Sequence, residues 1–212
     1  MSVSVSIDIL EQSCQCVGMV EEAPSNDRQD AILDAAFHAF ATYGFRRTSM
    51  DDIARGAGMS RTALYLHFRN KEDIFRSLAA RHFDEAVRDM TASLNRPGQD
   101  DEAALMAAFV AKDGKFMEAV LSTAHGDELM DAGFSITRDL AVEGEARLED
   151  CMAGYLARRG VPQDLGTPQD LARDMMVALK GLKLSVRDLA AYRAGEERIA
   201  RIFARLISAA TH

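Results

Sequence analysis

The sequence predicts an all-α protein, in which a three-helix unit containing a helix-turn-helix near the N-terminus precedes a longer helical body, about nine helices in all. Apolar residues recur at intervals of three and four along most of the 212 residues, which is the spacing of one helix face. Capping residues precede several of these stretches and glycines follow them, as expected at helix ends. Only the first six residues alternate as a strand would, and nothing nearby could pair with them.

The composition excludes several protein classes. A chain that is 48% hydrophobic and 27% charged is too apolar to be disordered. No apolar run approaches the length of a membrane span, and the N-terminus lacks the basic and apolar blocks of a secretory signal. Three cysteines, an odd number, do not form a disulfide framework, so we expect the reducing cytoplasm as the location.

Positive charge is concentrated in one short segment. The formal net charge is −8, yet residues 45–71 carry +4 and the remainder carries −12. A basic segment on an acidic body is typical of a local contact with nucleic acid.

Local signals set the first four helices. Asn26 or Asp27 is expected to cap the first helix, which Gly44 ends. We expect residues 1–25 to be a flexible tail, residues 26–72 to form the helix-turn-helix domain and residues 73–212 to form the body.

The next three helices are each expected to begin at a capping residue. Ser49, with Asp52 three residues later, caps the second helix. Ser60 caps a short third helix that runs through Phe68, and Asn70 caps a fourth that runs to about residue 95.

The remaining helices are separated by glycine and proline. We expect helices over 100–112, 115–125 and 127–159, followed by a loop at 161–168. The next helix carries a nearly heptad apolar seam from Leu171 to Leu189. Gly195 is expected to separate this helix from the last one.

The turn between the second and third helices suits a helix-turn-helix. Ala54 is small where the helices must approach, Gly58 can adopt the left-handed conformation that ends a helix, and Ser60 restarts the chain at a fixed angle. Most strings of this kind are ordinary helix–helix turns. On the third helix, Leu64 and Phe68 lie four residues apart and would face the core, which turns Thr62 and Leu66 outward.

The longer string TSMDDIARGAGMSRTALYLHFRNKEDIF at 48–75 closely resembles the signature of the tetracycline-repressor (TetR) family of bacterial transcription regulators. The resemblance covers about residues 28–78 and implies a DNA-binding regulator rather than an enzyme. Departures are small, with Met59, Thr62, Asn70 and Ile74 replacing the usual residues. Because Thr62 adds a side chain to the DNA-facing surface, base preference there does not carry over from the family.

The resemblance and the helical wheel together give the expected contacts with double-stranded DNA. Arg61, Thr62 and Leu66 would reach base edges, Leu66 by meeting a thymine methyl. The resemblance implies that Thr48, Tyr65, His67 and Lys71 hold phosphates. For Tyr65 and His67, the alternative is that the two rings pack together and bridge helices. For Arg46 and Arg47, the alternative is that they are simple solvated charges. The full expected set is Arg46, Arg47, Thr48, Ser49, Arg61, Thr62, Ala63, Tyr65, Leu66, His67 and Lys71.

The resemblance also implies a homodimer built from the last two helices, which places two recognition helices about 34–36 Å apart on a near-palindromic operator. The expected interface residues are Leu171, Met175, Leu179, Leu182, Val186, Leu189, Ile199, Ile202, Phe203 and Leu206. The alternative is that these residues form an ordinary intramolecular core.

The body is expected to enclose a cavity for a small apolar or amphipathic effector, whose binding releases a repressor from DNA by tilting the fourth helix. Eleven methionines and no tryptophan suggest an adaptable lining. The candidate lining residues are Phe109, Phe116, Met117, Phe134, Met152, Tyr155 and Met176, although each could equally be a core residue.

The sequence gives weaker support to other sites and functions. Cys14 and Cys16 alone make a poor metal site, and the five histidines show no ligand spacing. We therefore expect no metal, no cofactor and no catalytic residue. The alternatives are a regulator or nucleoid-associated factor controlled by a protein partner and, more remotely, a helical enzyme or structural bundle.

Overall fold

The computed structural model describes residues 25–210, and all regular structure in that range is helical. Nine α-helices and one short 3-10 helix at Gln163–Leu165 account for it, which confirms the expected fold class. Within that range no helix is long and apolar enough to cross a membrane. The α-helices are α1 (Ser25–Tyr43), α2 (Met50–Gly56), α3 (Arg61–His67), α4 (Lys71–Leu94), α5 (Asp101–Ser122), α6 (Gly126–Ile136), α7 (Arg138–Arg159), α8 (Pro168–Ser185) and α9 (Leu189–Ala210).

Three predicted N-caps in the first part of the chain are confirmed. The Ser49 hydroxyl accepts a hydrogen bond from the Asp52 amide at 3.2 Å, and the Asp52 carboxylate accepts one from the Ser49 amide at 3.0 Å. Ser60 and Asn70 accept similar bonds at the starts of α3 and α4. These local contacts fix where each helix begins. The exception is α1, where both expected caps, Asn26 and Asp27, lie inside the described helix Ser25–Tyr43.

The expected break at residues 113–114 was wrong, because α5 runs continuously from Asp101 to Ser122. The carboxylate of Asp113 accepts hydrogen bonds from the ammonium groups of Lys112 and Lys183 and not from nearby main-chain amides. Gly114 is buried at this point. Tertiary packing therefore overrides the local preference of an Asp-Gly pair to end a helix.

The helix expected over 127–159 is divided into α6 and α7 at Thr137. Arg76 of α4 donates a hydrogen bond to the carbonyl of Ile136 at 2.7 Å, and it also forms an ion pair with Asp139. The Thr137 hydroxyl donates to the Gly133 carbonyl at 2.7 Å. These contacts occupy the last carbonyls of α6 and stabilise a break that no glycine or proline marks.

The boundary between the last two helices also differs from the prediction. The helix α8 ends at Ser185, and α9 begins at Leu189, where the Asp188 carboxylate accepts a hydrogen bond from the Ala191 amide at 2.8 Å. Gly195 lies inside α9, and a Cβ atom there would be 2.4 Å from a methyl carbon of Leu182. The glycine therefore permits a close helix crossing and does not end a helix.

Two hydrophobic cores share α4. Its first turns place Ile74 and Phe75 in a core with α1, α2, α3 and α6. Further along, Ala86, Met90 and Leu94 enter a core with α5, α7, α8 and α9. One continuous helix therefore connects the helix-turn-helix unit to the body.

Substitution of two glycines of α6 by alanine should change the free energy of unfolding in opposite directions. A Cβ at Gly126 would lie 1.8 Å from the main-chain oxygen of Val120, whereas one at Gly133 would meet nothing within 4 Å. We expect Gly126→Ala to lower the free energy of unfolding by about 1–3 kcal/mol through steric strain. Gly133→Ala should raise it by roughly 0.5–1 kcal/mol by restricting the unfolded chain. Urea denaturation followed by circular dichroism measures both changes, and equal effects would contradict the packing at Val120.

Candidate nucleic-acid interface and cavity

The helix α3 buries one face and exposes the other. Leu64 and Ile53 are fully buried and Phe68 is 6% exposed, as the helical wheel predicted. On the opposite side, Leu66 is 82% exposed and Tyr65 is 43% exposed. A single exposed leucine is common at a protein surface, but here Leu66 lies beside the exposed side chains of Arg61, Thr62 and Tyr65, and this combination favours a partner surface.

Arg61 is held in place on the outer surface of α3. Its guanidinium donates to Asp51 at 2.9 Å and to the Tyr65 hydroxyl at 3.4 Å, and it lies 5.5 Å from the centre of the Tyr65 ring. The hydrogen bond to Tyr65, followed by the charge of Asp51, raises the pKa of Arg61. Exposed ion pairs of this kind contribute little to stability, so Arg61 can exchange Asp51 for another acceptor at small cost.

Further expected DNA-contacting residues surround this face. Arg46, Arg47, Ser49 and Thr62 are exposed, whereas Ala63 and His67 are half-buried. Together with Arg61, Tyr65 and Leu66 they belong to α3 and the segment between α1 and α2. The two arginines add positive charge beside α3.

The structure gives Thr48 and Lys71 roles other than the expected phosphate contacts. Thr48 is 2% exposed, and its hydroxyl donates to the Gly44 carbonyl at 2.7 Å. The Lys71 ammonium donates to the carbonyls of Phe45, Arg46 and Thr48 at 2.8, 2.9 and 3.1 Å. An ammonium has three donors, so all of them bind the loop between α1 and α2. Both side chains therefore position the interface from within.

The same loop also contacts α6. The Glu128 carboxylate accepts a hydrogen bond from the main-chain amide of Arg46. It also lies against Gly44, where a Cβ would be 2.5 Å from a Glu128 oxygen and where φ is +81°. Glycine at this position therefore allows both the left-handed turn and the approach of α6.

A cavity of about 250 Å³ lies between the helix-turn-helix unit and the body. Of the seven predicted lining residues, only Phe116 and Phe134 border it. The other five do not: Phe109, Met117, Met152, Tyr155 and Met176. Most of them are buried in the core of the body, where Tyr155 donates a hydrogen bond to Asp101. The prediction was wrong for these five because a helix stripe does not reveal which packed face borders a void.

Sequence reasoning missed most of the true lining. Aromatic rings come from α1 and α4, including Phe37, Phe40 and Phe75, and α6 contributes Leu129 and Met130. The polar lining includes His82, Lys112, Asp113 and Lys183. One signal for the polar part was present in the sequence, since a Lys-Asp pair directly follows the uninterrupted apolar run from 103 to 111.

The polar end of the cavity has strongly perturbed charges. Burial alone would raise the pKa of Asp113, but the ammonium groups of Lys112 and Lys183 hold it well below its usual value. Burial would likewise lower the pKa of Lys112, but Asp113 raises it. Burial lowers the pKa of His82.

The predicted dimer residues divide into two groups. Leu171, Met175 and Leu179 are at most 5% exposed and pack into the chain's own core, so their assignment to the interface was wrong. Ile202 is 57% exposed. Half-buried positions are Leu182, Val186, Leu189, Ile199, Phe203 and Leu206.

The outward face of α8 carries apolar residues that are not part of the predicted seam from Leu171 to Leu189. Val177 is 64% exposed and Leu184 is 50% exposed. Between them, a Cβ at Gly181 would meet nothing within 4 Å. Val177 and Leu184 of α8 and Ile202 of α9 are therefore exposed apolar side chains that a second chain could cover.

No group of three potential metal ligands occurs among the described residues. Cys14 and Cys16 lie outside them. Cys151 is half-buried, with its sulfur 3.4 Å from the Thr91 hydroxyl.

Comparisons with known proteins agree with this geometry. A family model described as bacterial regulatory proteins, tetR family, matches residues 32–78, which span α1, α2, α3 and the start of α4. The transcriptional repressor ComR of Escherichia coli is 33% identical over 99 residues, which are 47% of this chain and 47% of ComR. The chain therefore matches about half the length of this curated relative.

Solved structures extend the likeness to the whole described fold. A protein described as a TetR-family regulator from Mesorhizobium loti has a TM-score of 0.65 at 20% identity, covering 87% of this chain and 98% of its own. A complex of the Stenotrophomonas maltophilia repressor SmeT with triclosan has a TM-score of 0.56 at 20% identity, covering 87% and 91%. At such identities the likeness concerns the fold alone.

Removing the Lys71 ammonium tests its internal role. We expect Lys71→Met to lower the free energy of unfolding by about 1–3 kcal/mol, because three loop carbonyls lose a charged donor. The matched control is Arg69→Met, whose side chain is 87% exposed and pairs only with Asp73, and which should change stability by less than about 0.5 kcal/mol. Urea denaturation in the absence of DNA gives both values. Unchanged stability of Lys71→Met would restore the phosphate role.

Proposed function

We propose that this chain, in which residues 32–78 match the family model of bacterial regulatory proteins, tetR family, is a transcriptional repressor that binds a near-palindromic operator as a homodimer. It acts in the cytoplasm and is released from DNA by a small apolar or amphipathic ligand. The observation that carries the proposal is the exposed outer face of α3, with Leu66 82% exposed at its centre. We place residues 26–72 in the DNA-binding domain and residues 73–212 in the body.

Direct reading of base edges falls to α3. A helix of this size fits the major groove, where a bidentate arginine recognises guanine and an apolar side chain meets a thymine methyl. Arg61 and Thr62 supply donors to base edges, and Leu66 supplies the apolar contact. The existing pair between Arg61 and Asp51 at 2.9 Å keeps the guanidinium extended along the surface before DNA arrives.

Phosphate contacts come from the surrounding exposed groups. Tyr65 and His67 lie at the flanks of α3, and Arg46, Arg47 and Ser49 lie on or beside the loop that leads into α2. Such contacts fix the register of the protein on the duplex without reading its sequence. Lys71 and Thr48 contribute indirectly, since their hydrogen bonds hold the loop that carries the two arginines.

The position of the cavity supports regulation by a ligand. Its lining includes residues of α1, α4 and α6, and α4 and α6 both contact the DNA-binding unit. A ligand shifts the operator affinity only if it binds one conformer better than the other. Tilting of α4 would move α1 with it, because Phe75 of α4 packs against Phe40 of α1 with ring centres 5.6 Å apart. The alternative, control by a protein partner, leaves this cavity without a role.

Operator binding should depend on Arg61 and Tyr65 in different ways. Arg61→Ala should weaken binding to the specific duplex by about 1–3 kcal/mol and relax preference at one or two base pairs. Tyr65→Ala should weaken binding to specific and scrambled duplexes alike, since it removes a phosphate contact. Fluorescence anisotropy with DNA from upstream of the gene measures both.

The affinity of the unmodified protein should also fall steeply between about 50 and 200 mM salt, because phosphate contacts release counterions. Equal losses on both duplexes for both variants would refute the division of roles. Binding that is insensitive to salt would refute DNA recognition itself.

The proposed dimer should be broken by a charge on the outward face of α8 and α9. We expect Ile202→Glu and Val177→Glu to yield monomers, since a carboxylate cannot be buried in an apolar interface without a partner. Val142→Glu is a matched control, because Val142 is equally exposed at 67% but lies on α7. Sedimentation velocity reports the mass, and a dimer that survives both charged variants would contradict this interface.

A further inference from the structure

The polar end of the cavity has two cations for one anion. The Lys112 ammonium donates to one oxygen of Asp113 at 2.6 Å, and the Lys183 ammonium donates to the other at 3.0 Å. All three residues border the cavity. The group therefore carries a formal charge of +1.

These charges are removed from solvent. The exposed fractions of the side chains are 8% for Lys112, 5% for Asp113 and 18% for Lys183. Each ammonium has three donors, yet among residues 25–210 each makes only one side-chain hydrogen bond. A buried charge is costly unless it is paired, so this end of the cavity favours a further anion.

Two neighbouring carboxylates, Glu145 and Glu196, raise the pKa of Lys112, but each is already paired with another cation. Glu145 also borders the cavity, but its carboxylate pairs with Lys180 at 3.2 Å. Glu196 pairs with Arg193 at 2.9 Å. Burial lowers the pKa of His82 and so disfavours a further positive charge on its ring. The two pairs, Glu145 with Lys180 and Glu196 with Arg193, add no net charge. The excess positive charge at the polar end of the cavity therefore remains.

The remaining charged groups of the lining are paired among themselves. Arg81 lies between Asp30 and Asp34, and these two carboxylates are 52% and 75% exposed. Lys115 approaches Glu85 at 4.0 Å with its own side chain 90% exposed. Solvent screens these pairs, so they do not set the preference of the buried end.

The rest of the lining is apolar and sets the size and character of an occupant. Six phenylalanines contribute: Phe37, Phe40, Phe75, Phe83, Phe116 and Phe134. An apolar cavity of about 150 Å³ accommodates benzene. At the same cavity volume per non-hydrogen atom as for benzene, the observed 250 Å³ accommodates about ten non-hydrogen atoms.

We propose that the cavity binds a hydrophobic monocarboxylate of about ten non-hydrogen atoms, with its carboxylate between Lys112 and Lys183 and its apolar part among the phenylalanines. This inference rests on the proposed function, since it names the chemical class of the effector. The carboxylate receives the unused ammonium donors and neutralises the excess charge. Aryl and alkyl carboxylates share this chemistry.

Titration calorimetry on the full chain without DNA tests the charge preference. The probes are cinnamate and octanoate as aryl and alkyl carboxylates, cinnamamide as a neutral match and cinnamylamine as a cation. We expect at least one carboxylate to bind about ten- to a hundredfold tighter than the amide, as one charge-assisted hydrogen bond would give. Cinnamylamine should bind weakest, because it meets two ammonium groups.

Variants of α8 test whether Lys183 causes the preference for a carboxylate over an amide. Lys183→Met keeps the apolar stem and should bind carboxylate and amide equally, whereas Lys183→Arg should retain the preference. Arg173→Met is the matched control: it removes an exposed positive charge from the same helix, at a residue that pairs with Glu149 and Asp170 away from the cavity. It should bind cinnamate and octanoate as the unmodified protein does.

The outcomes separate this inference from the proposed function. Equal binding of amide and carboxylate, a preference that survives in Lys183→Met, or failure of both carboxylates to bind would overturn the ligand class, even if the protein binds its operator. Carboxylate binding that leaves operator affinity unchanged would support the ligand class and contradict ligand-controlled repression.

Discussion

The packing of three phenylalanine rings joins the DNA-binding unit to the body. Phe40 of α1, Phe45 of the following loop and Phe75 of α4 contact one another with ring centres 5.2–5.6 Å apart. Such pairs are stabilised by edge-to-face electrostatics as well as by burial. Phe40 and Phe75 also border the cavity. Any occupant of the cavity therefore touches the rings that set the angle between α1 and α4.

The sequence predicted the N-terminal unit well because its determinants are local. Ser49, Ser60 and Asn70 each accept a main-chain hydrogen bond from the residue three positions later, so the caps are readable from spacing alone. Gly44 and Gly58 adopt positive φ where the helices end. The burial of Leu64 with Phe68 follows from helical periodicity. No long-range contact was needed to find any of these features.

Features that depend on tertiary contacts were not predictable in this way. The break at Thr137 relies on Arg76, which is 60 residues away from the carbonyl that it binds. On α8 the apolar seam is real, but Met175 faces the chain's own core while Val177 faces outward, and periodicity cannot distinguish an internal core from a dimer surface. The phosphate role of Lys71 came from the family resemblance, and its three carbonyl partners were not predictable from local spacing because they lie more than 20 residues away.

The proposed ligand response requires an element whose position differs between two conformers, and α6 meets the physical conditions. It borders the cavity through Leu129 and Met130, and it ends at the break at Thr137 that separates it from α7. Its first turn places Glu128 on the Arg46 amide, in the loop between α1 and α2. A ligand that displaces α6 would therefore weaken a contact on the DNA-binding unit directly, while the shared rings of Phe40 and Phe75 transmit the same displacement to α1 and α4.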